Sequence, residues 1–108
     1  MGRIEDRRVL LHSELEEILG STNVYYQPPG SISKKMQYPC IRYTEDRGVQ
    51  RFADNKTYHY VQGYQLMYID PNPISDMKEK LLDHFSNITY NRHYIANNLN
   101  HEVFVIFY

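Results

Sequence analysis

The sequence predicts an α+β domain: a mostly antiparallel sheet of about five strands with two helices packed on one face, in the order α-β-β-β-α-β-β. Three observations carry this. Residues 58 to 70 alternate at period two, with Tyr58, Tyr60, Tyr64 and Tyr68 on one face and Val61, Met67 and Ile69 on the other. Two separate stretches carry apolar residues at spacings of three and four, the mark of a helix with one buried stripe. The segment Val103-Phe104-Val105-Ile106-Phe107-Tyr108 is apolar on both faces, and a strand that hides both faces needs two covering layers. A chain of 108 residues cannot supply both layers everywhere. Such surface is either the middle of a small core or a place where copies of the chain meet.

The elements follow in order. Leu11, Leu15, Ile18 and Leu19 form one stripe and predict a helix from about Glu5 to Leu19, with Ile4, Val9 and Leu10 widening it. Glu5 and Asp6 suit its first turn and Gly20 its C′ position. The acidic group Glu14, Glu16 and Glu17 reads as a solvated face. Val24 to Gln27 is a short strand, stopped by Pro28-Pro29-Gly30. Gly30 to Gln37 is a polar loop. A strand runs from Cys40 to about Glu45. The stretch from Asp46 to Lys56 has no clear period and is expected as a long excursion between strands. Tyr58 to Asp70 is the central strand, and Gly63 inside it suggests a bulge or a close backbone approach. After Asp70-Pro71-Asn72-Pro73 a second helix is expected from Ile74 or Ser75 to His84. Ser75 is its expected N-cap, and Ile74, Met77, Leu81, Leu82 and Phe85 form its inward stripe. Ile88 to Ile95 and Glu102 to Tyr108 are the last strands, joined through Asn97-Asn98-Leu99-Asn100-His101, where Asn residues favour turns.

Composition excludes several classes. The length fits one domain spanning residues 1–108. A formal net charge of -1 gives no global basic field for wrapping nucleic acid. Cys40 is the only cysteine, so no internal disulfide forms, and it reads as a small buried apolar residue rather than a nucleophile. The charged first residues and the short Val9-Leu10-Leu11 run do not make a signal peptide, and no apolar run approaches membrane length. The sequons at Asn55 and Asn87 read as chance. His12, His59, His84, His93 and His101 are scattered without a ligand spacing, although His59 and His93 could approach across paired strands. Asp70 with Lys78-Glu79-Lys80 is a poor match to a metal-dependent nuclease. No phosphate loop or serine elbow is present. No catalytic, cofactor or metal residue is assigned, and no enzyme is expected. The tyrosines could stack on bases, but the neighbours of the central strand are His59, Gln62 and Gln65 rather than lysine or arginine. A core edge or a protein interface is the better account of them.

Four stretches carry a resemblance. These are Tyr38-Pro39-Cys40-Ile41-Arg42-Tyr43, then Phe52 to Lys56, then Tyr64 through Ile69-Asp70-Pro71-Asn72-Pro73, and Ala96 to Phe104. From about Leu11 to Tyr108 the chain is similar to bacteriophage tail terminator, or tail-completion, proteins of long-tailed phages. The resemblance implies a structural virion protein: a ring, usually a hexamer, that caps the tail tube, ends its polymerisation and gives the DNA-filled head its docking surface. The implied partners are further copies of the chain, the tail tube protein, head-tail connector or stopper proteins, and sheath or further neck proteins. Genomic DNA passes through without specific binding, and no membrane is involved. The implied location is the virion neck, after assembly in the cytoplasm of a bacterial host. A connector or stopper on the portal side, and a small tyrosine-rich nucleic-acid-binding module, are the competing readings.

Overall fold

A computed structural model of the chain describes residues 4–27, 36–53 and 56–108. The expected stops and turns at Pro28-Pro29-Gly30 and Asp54-Asn55, and most of the Gly30–Gln37 loop, lie outside these residues. The elements are α1 (Ile4–Leu19), β1 (Val24–Tyr26), β2 (Cys40–Ala53), β3 (Lys56–Asp70), α2 (Met77–His84), β4 (Ile88–Ala96) and β5 (Leu99–Phe107). The α-β-β-β-α-β-β order and the mostly antiparallel five-stranded sheet are those the sequence predicts. The strands lie in the order β1-β2-β3-β5-β4. Only β1 and β2 run parallel; every other neighbouring pair is antiparallel.

Both helices cover one face. Leu11 and Leu15 of α1 and Met77 and Leu81 of α2 are buried there with Phe85, against Ile41, Tyr43, Tyr64, Leu66, Tyr68, Phe104 and Ile106. Gly20 ends α1 at φ +78°, its N–H donating to Glu16 O at 2.9 Å. Val9 and Leu10 do not widen the buried stripe and are 51% and 58% exposed. At about 100° per residue they sit one and two steps of rotation away from Leu11, off the face that meets the sheet.

The second helix starts later than expected. The Asp70 carboxylate accepts from the Asn72 N–H at 2.8 Å, and the Asn72 side chain accepts from the Ile74 N–H at 3.0 Å. These consecutive Asx turns hold the chain out of helix. Asp76, not Ser75, is the N-cap residue, without a side-chain cap bond. Ser75 Oγ still accepts the Met77 N–H at 3.1 Å. Ile74 leaves the expected inward stripe and stands 85% exposed, and Leu82 also faces outward.

The largest difference lies between Asp46 and Lys56. The expected excursion is a continuation of both strands. β2 runs on to Ala53 and β3 begins at Lys56, paired from Val49↔Val61 to Ala53↔Lys56. Register shifts between Asp46 and Val49 and between Arg51 and Phe52 explain why no period was visible. The first places an extra residue in β2 and the second an extra residue in β3, and each reverses the alternation of faces. Gln62 fastens the first bulge, its side-chain amide donating to Asp46 O at 2.6 Å and to Gly63 O at 3.0 Å. Gly63 is the close approach the sequence suggests: a Cβ there would lie 2.2 Å from Arg47 O. Pairing of β5 with β3 reaches only to Gly63, and pairing of β1 with β2 spans Ile41 to Tyr43. Beyond these limits, among the described residues, β2 and β3 pair only with each other, as a two-stranded arm roughly 15 Å long.

At the other end of the sheet, β4 turns into β5 through Asn97 and Asn98, at φ 52° and 61°. Two successive positive φ values make a two-residue hairpin turn that suits asparagine. The connection is shorter than expected, because β5 already begins at Leu99.

Candidate functional site

The face of the sheet opposite the helices is read directly from the strand register. Three rows cross it from β2 through β3 and β5 to β4: Thr44-Gln65-Val105-Thr89, Arg42-Met67-Val103-Arg92 and Cys40-Ile69-His101-Tyr94. Val103, Cys40 and Ile69 are buried, with no helix above them among the described residues. Long side chains of the same face take part in the cover. The Tyr94 hydroxyl reaches the Met67 sulfur at 3.6 Å, across β5. The Tyr94 ring stacks on His101, with centroids 4.5 Å apart and an interplanar angle of 8°. The Arg92 guanidinium sits 5.3 Å from the Tyr94 centroid, within cation–π range. Burial pushes the Cys40 thiol up to about 12, against a smaller opposing effect of Arg42. The thiol is therefore neutral at physiological pH and unreactive, in line with the structural role read from the sequence.

A polar cleft of about 360 Å³ opens beside α2, at the end of the sheet away from the arm. Its groups bind one another. The Tyr68 hydroxyl donates to Asp70 at 2.5 Å, and burial, then the Asp70 carboxylate, push that hydroxyl up to about 12. Glu102 accepts from the Tyr90 hydroxyl at 3.3 Å and has Lys78 Nζ at 3.8 Å and His93 Nε2 at 3.9 Å. The Asn100 amide donates to Asp70 O at 3.2 Å and to Pro71 O at 3.4 Å. These bonds tie the proline-rich turn and α2 to β5. The cleft brings Asp70, Lys78 and Glu79 to one place, as a nuclease centre requires. Among the described residues, however, no three His, Cys, Asp or Glu side chains are placed to hold a metal ion.

A second groove lies between α1, α2 and the base of the arm, lined in part by Leu10, Val61, Phe85 and Phe107. Glu14 closes one side, taking His84 Nε2 at 2.8 Å and a hydrogen bond from the Tyr108 hydroxyl. Burial acts to raise the Glu14 carboxyl, but the hydrogen bonds from Tyr108 and His84 outweigh it and hold the group below its ordinary value. The sequence treats Glu14 as part of a solvated face; it is instead half-buried and joins the two helices.

The described histidines each have a local role. His12 contacts the Tyr43 hydroxyl at 2.8 Å, His84 pairs with Glu14, His93 contacts Asn100 at 3.2 Å and His101 contacts Leu99 O at 3.1 Å. β3, which carries His59, and β4, which carries His93, are not paired, because β5 lies between them. Among the described residues, no helix is long and apolar enough to cross a membrane.

The architecture defines a class: a mixed, mostly antiparallel sheet backed by two helices on one face and extended by a two-stranded arm. Compared with known proteins, the chain matches no family model, no curated protein and no solved structure.

Proposed function

We propose that this chain is a structural protein of a phage neck: a tail terminator whose copies form a ring on the tail tube, end its polymerisation and offer a docking surface to the head. The observation that carries the reading is the arm. From Val49↔Val61 outward β2 and β3 have no third strand among the described residues, and an isolated two-stranded hairpin is marginal in water. A neighbouring copy against the arm supplies the missing layer. Arm on body is a contact between unlike surfaces, the heterologous kind that generates a closed ring when the rotation is right. Exposed Val9, Leu10 and Ile74 add apolar positions for the tube protein and for connector or stopper partners. The role is non-catalytic, and the protein joins the virion after assembly in the bacterial cytoplasm.

The test is electron microscopy of the purified protein and of intact particles carrying a label on this chain. Rings of tail-tube width, with label where tail meets head, are expected. One isolated copy per particle with no self-contact overturns the reading. Label confined to the portal side makes the chain a connector or stopper instead.

A further inference from the structure

The helix-free face of the sheet carries two arginines in one row. Arg42 and Arg92 share a single cross-strand row, with Met67 and Val103 between them and Tyr25 of β1 beyond Arg42. Three strand spacings of about 4.8 Å put the two positions roughly 14 Å apart, far enough to reach separate phosphates of one backbone. The three rows of this face hold no carboxylate. The nearest is Asp46 in the next row, beside Gly63, where its Oδ1 accepts the Arg47 N–H at 2.7 Å. Thr44, Gln65 and Thr89 add neutral hydrogen-bonding groups to the row between the arginines and Asp46. The helices over the opposite face carry both signs, with Glu14, Glu16, Glu17, Glu79 and Asp83 beside Arg7, Arg8, Lys78 and Lys80.

We propose that the helix-free face meets the phosphate backbone of duplex DNA through Arg42 and Arg92, and is the face turned to the channel. The channel placement rests on the ring reading; the phosphate contact does not. Arg92 is held over the Tyr94 ring, which orients its guanidinium without neutralising it. Two cations per copy give a weak, sequence-independent hold. A ring repeats the pair around the duplex, so the DNA is centred by many weak contacts. Each contact exchanges readily, which suits a genome that must move through.

The experiment is fluorescence anisotropy of a short random-sequence duplex with the full chain, at salt from about 50 to 200 mM. Wild type is expected to bind at the low end and to lose about tenfold in affinity across the range, a salt slope near two. Arg42→Glu with Arg92→Glu is expected to abolish that binding, and Arg42→Lys with Arg92→Lys to keep most of it. Lys80→Glu, a charge reversal of the same kind on the helix side, is expected to leave binding unchanged. If the double reversal fails to fold, Arg42→Gln and Arg92→Gln singly decide the matter, each lowering the slope by about one. The proposal is overturned by absence of binding at low salt, by equal loss in Lys80→Glu, or by no loss in the arginine variants. Preference for single strands that disappears in Tyr94→Ala also overturns it, in favour of a base-stacking module. Particle imaging reports on the ring separately, so failure of the DNA contact leaves the ring reading standing, and the reverse.

Discussion

The rows Tyr43-Leu66-Phe104-Tyr90 and Arg42-Met67-Val103-Arg92 cross the same four strands, nearly one residue apart. The first is sealed beneath two helices, with Tyr43, Leu66 and Phe104 fully buried. The second has no helix above it. Met67 and Val103 are flanked in it by the cations Arg42 and Arg92. The difference shows what a small domain does with a sheet it cannot cover twice. One face receives all the helical cover. The other keeps short apolar groups low in the pleat and spreads long side chains over them.

The sharpest way to break the comparison is to truncate neighbours on opposite faces. Leu66→Ala and Leu81→Ala remove fully buried side chains and should each cost about 2–5 kcal/mol in denaturant unfolding. Met67→Ala, one residue from Leu66 but on the half-buried face, should cost only about 1 kcal/mol. Equal losses at Leu66 and Met67 would show that the second face is as well covered as the first. Gly63→Ala should fall between these, at about 1–3 kcal/mol, since its Cβ would meet Arg47 O and lie 3.1 Å from the Phe107 ring.

Alkaline titration reaches tyrosines of the helix-covered side, together with the Cys40 thiol on the other face. Tyr26, Tyr68 and Tyr108 have hydroxyls pushed from 10.0 to about 12, by burial first and then by hydrogen bonds to Glu45, Asp70 and Glu14. A raised folded pKa means the stabilisation is complete below pH 10 and is lost as pH rises through about 12. Thermal unfolding should therefore be insensitive to these groups near neutrality and fall over that window. Tyr68→Phe should make the fall shallower, and an unchanged slope would remove Tyr68 from the account. The smallest expected effect is at Tyr94→Phe. It removes a hydroxyl whose partner is the Met67 sulfur, and it should change stability by less than about 0.5 kcal/mol. A larger loss would mean that Tyr94 braces this face as a helix braces the other.

Much of the fold was legible because its signals are local. Leu11, Leu15, Met77, Leu81 and Phe85 repeat at helical spacing and all are buried. Gly20 and Gly63 mark the helix end and the close approach they suggest. The arm was not legible, because two bulges reverse the side-chain phase within one hairpin, and a period test needs an unbroken phase. The start of α2 was misplaced because Asp70 and Asn72 close their own turns, a competition that helical spacing does not register. The arginine row was equally hidden. Arg42 and Arg92 are fifty positions apart in the chain, and overall charge gives no hint of them.

By itself, then, the sequence determined the order of helices and strands and the centre of each buried stripe, such as Leu11, Leu15, Met77 and Leu81, since periodicity and capping act over a few neighbouring residues. Tertiary structure alone decided that β5 lies between β3 and β4, that β2 and β3 run on as a paired arm, and that Arg42 and Arg92 share a row. Strand order and register arise from contacts between residues far apart in the chain, where the competing arrangements differ only in how completely they bury the same apolar surface.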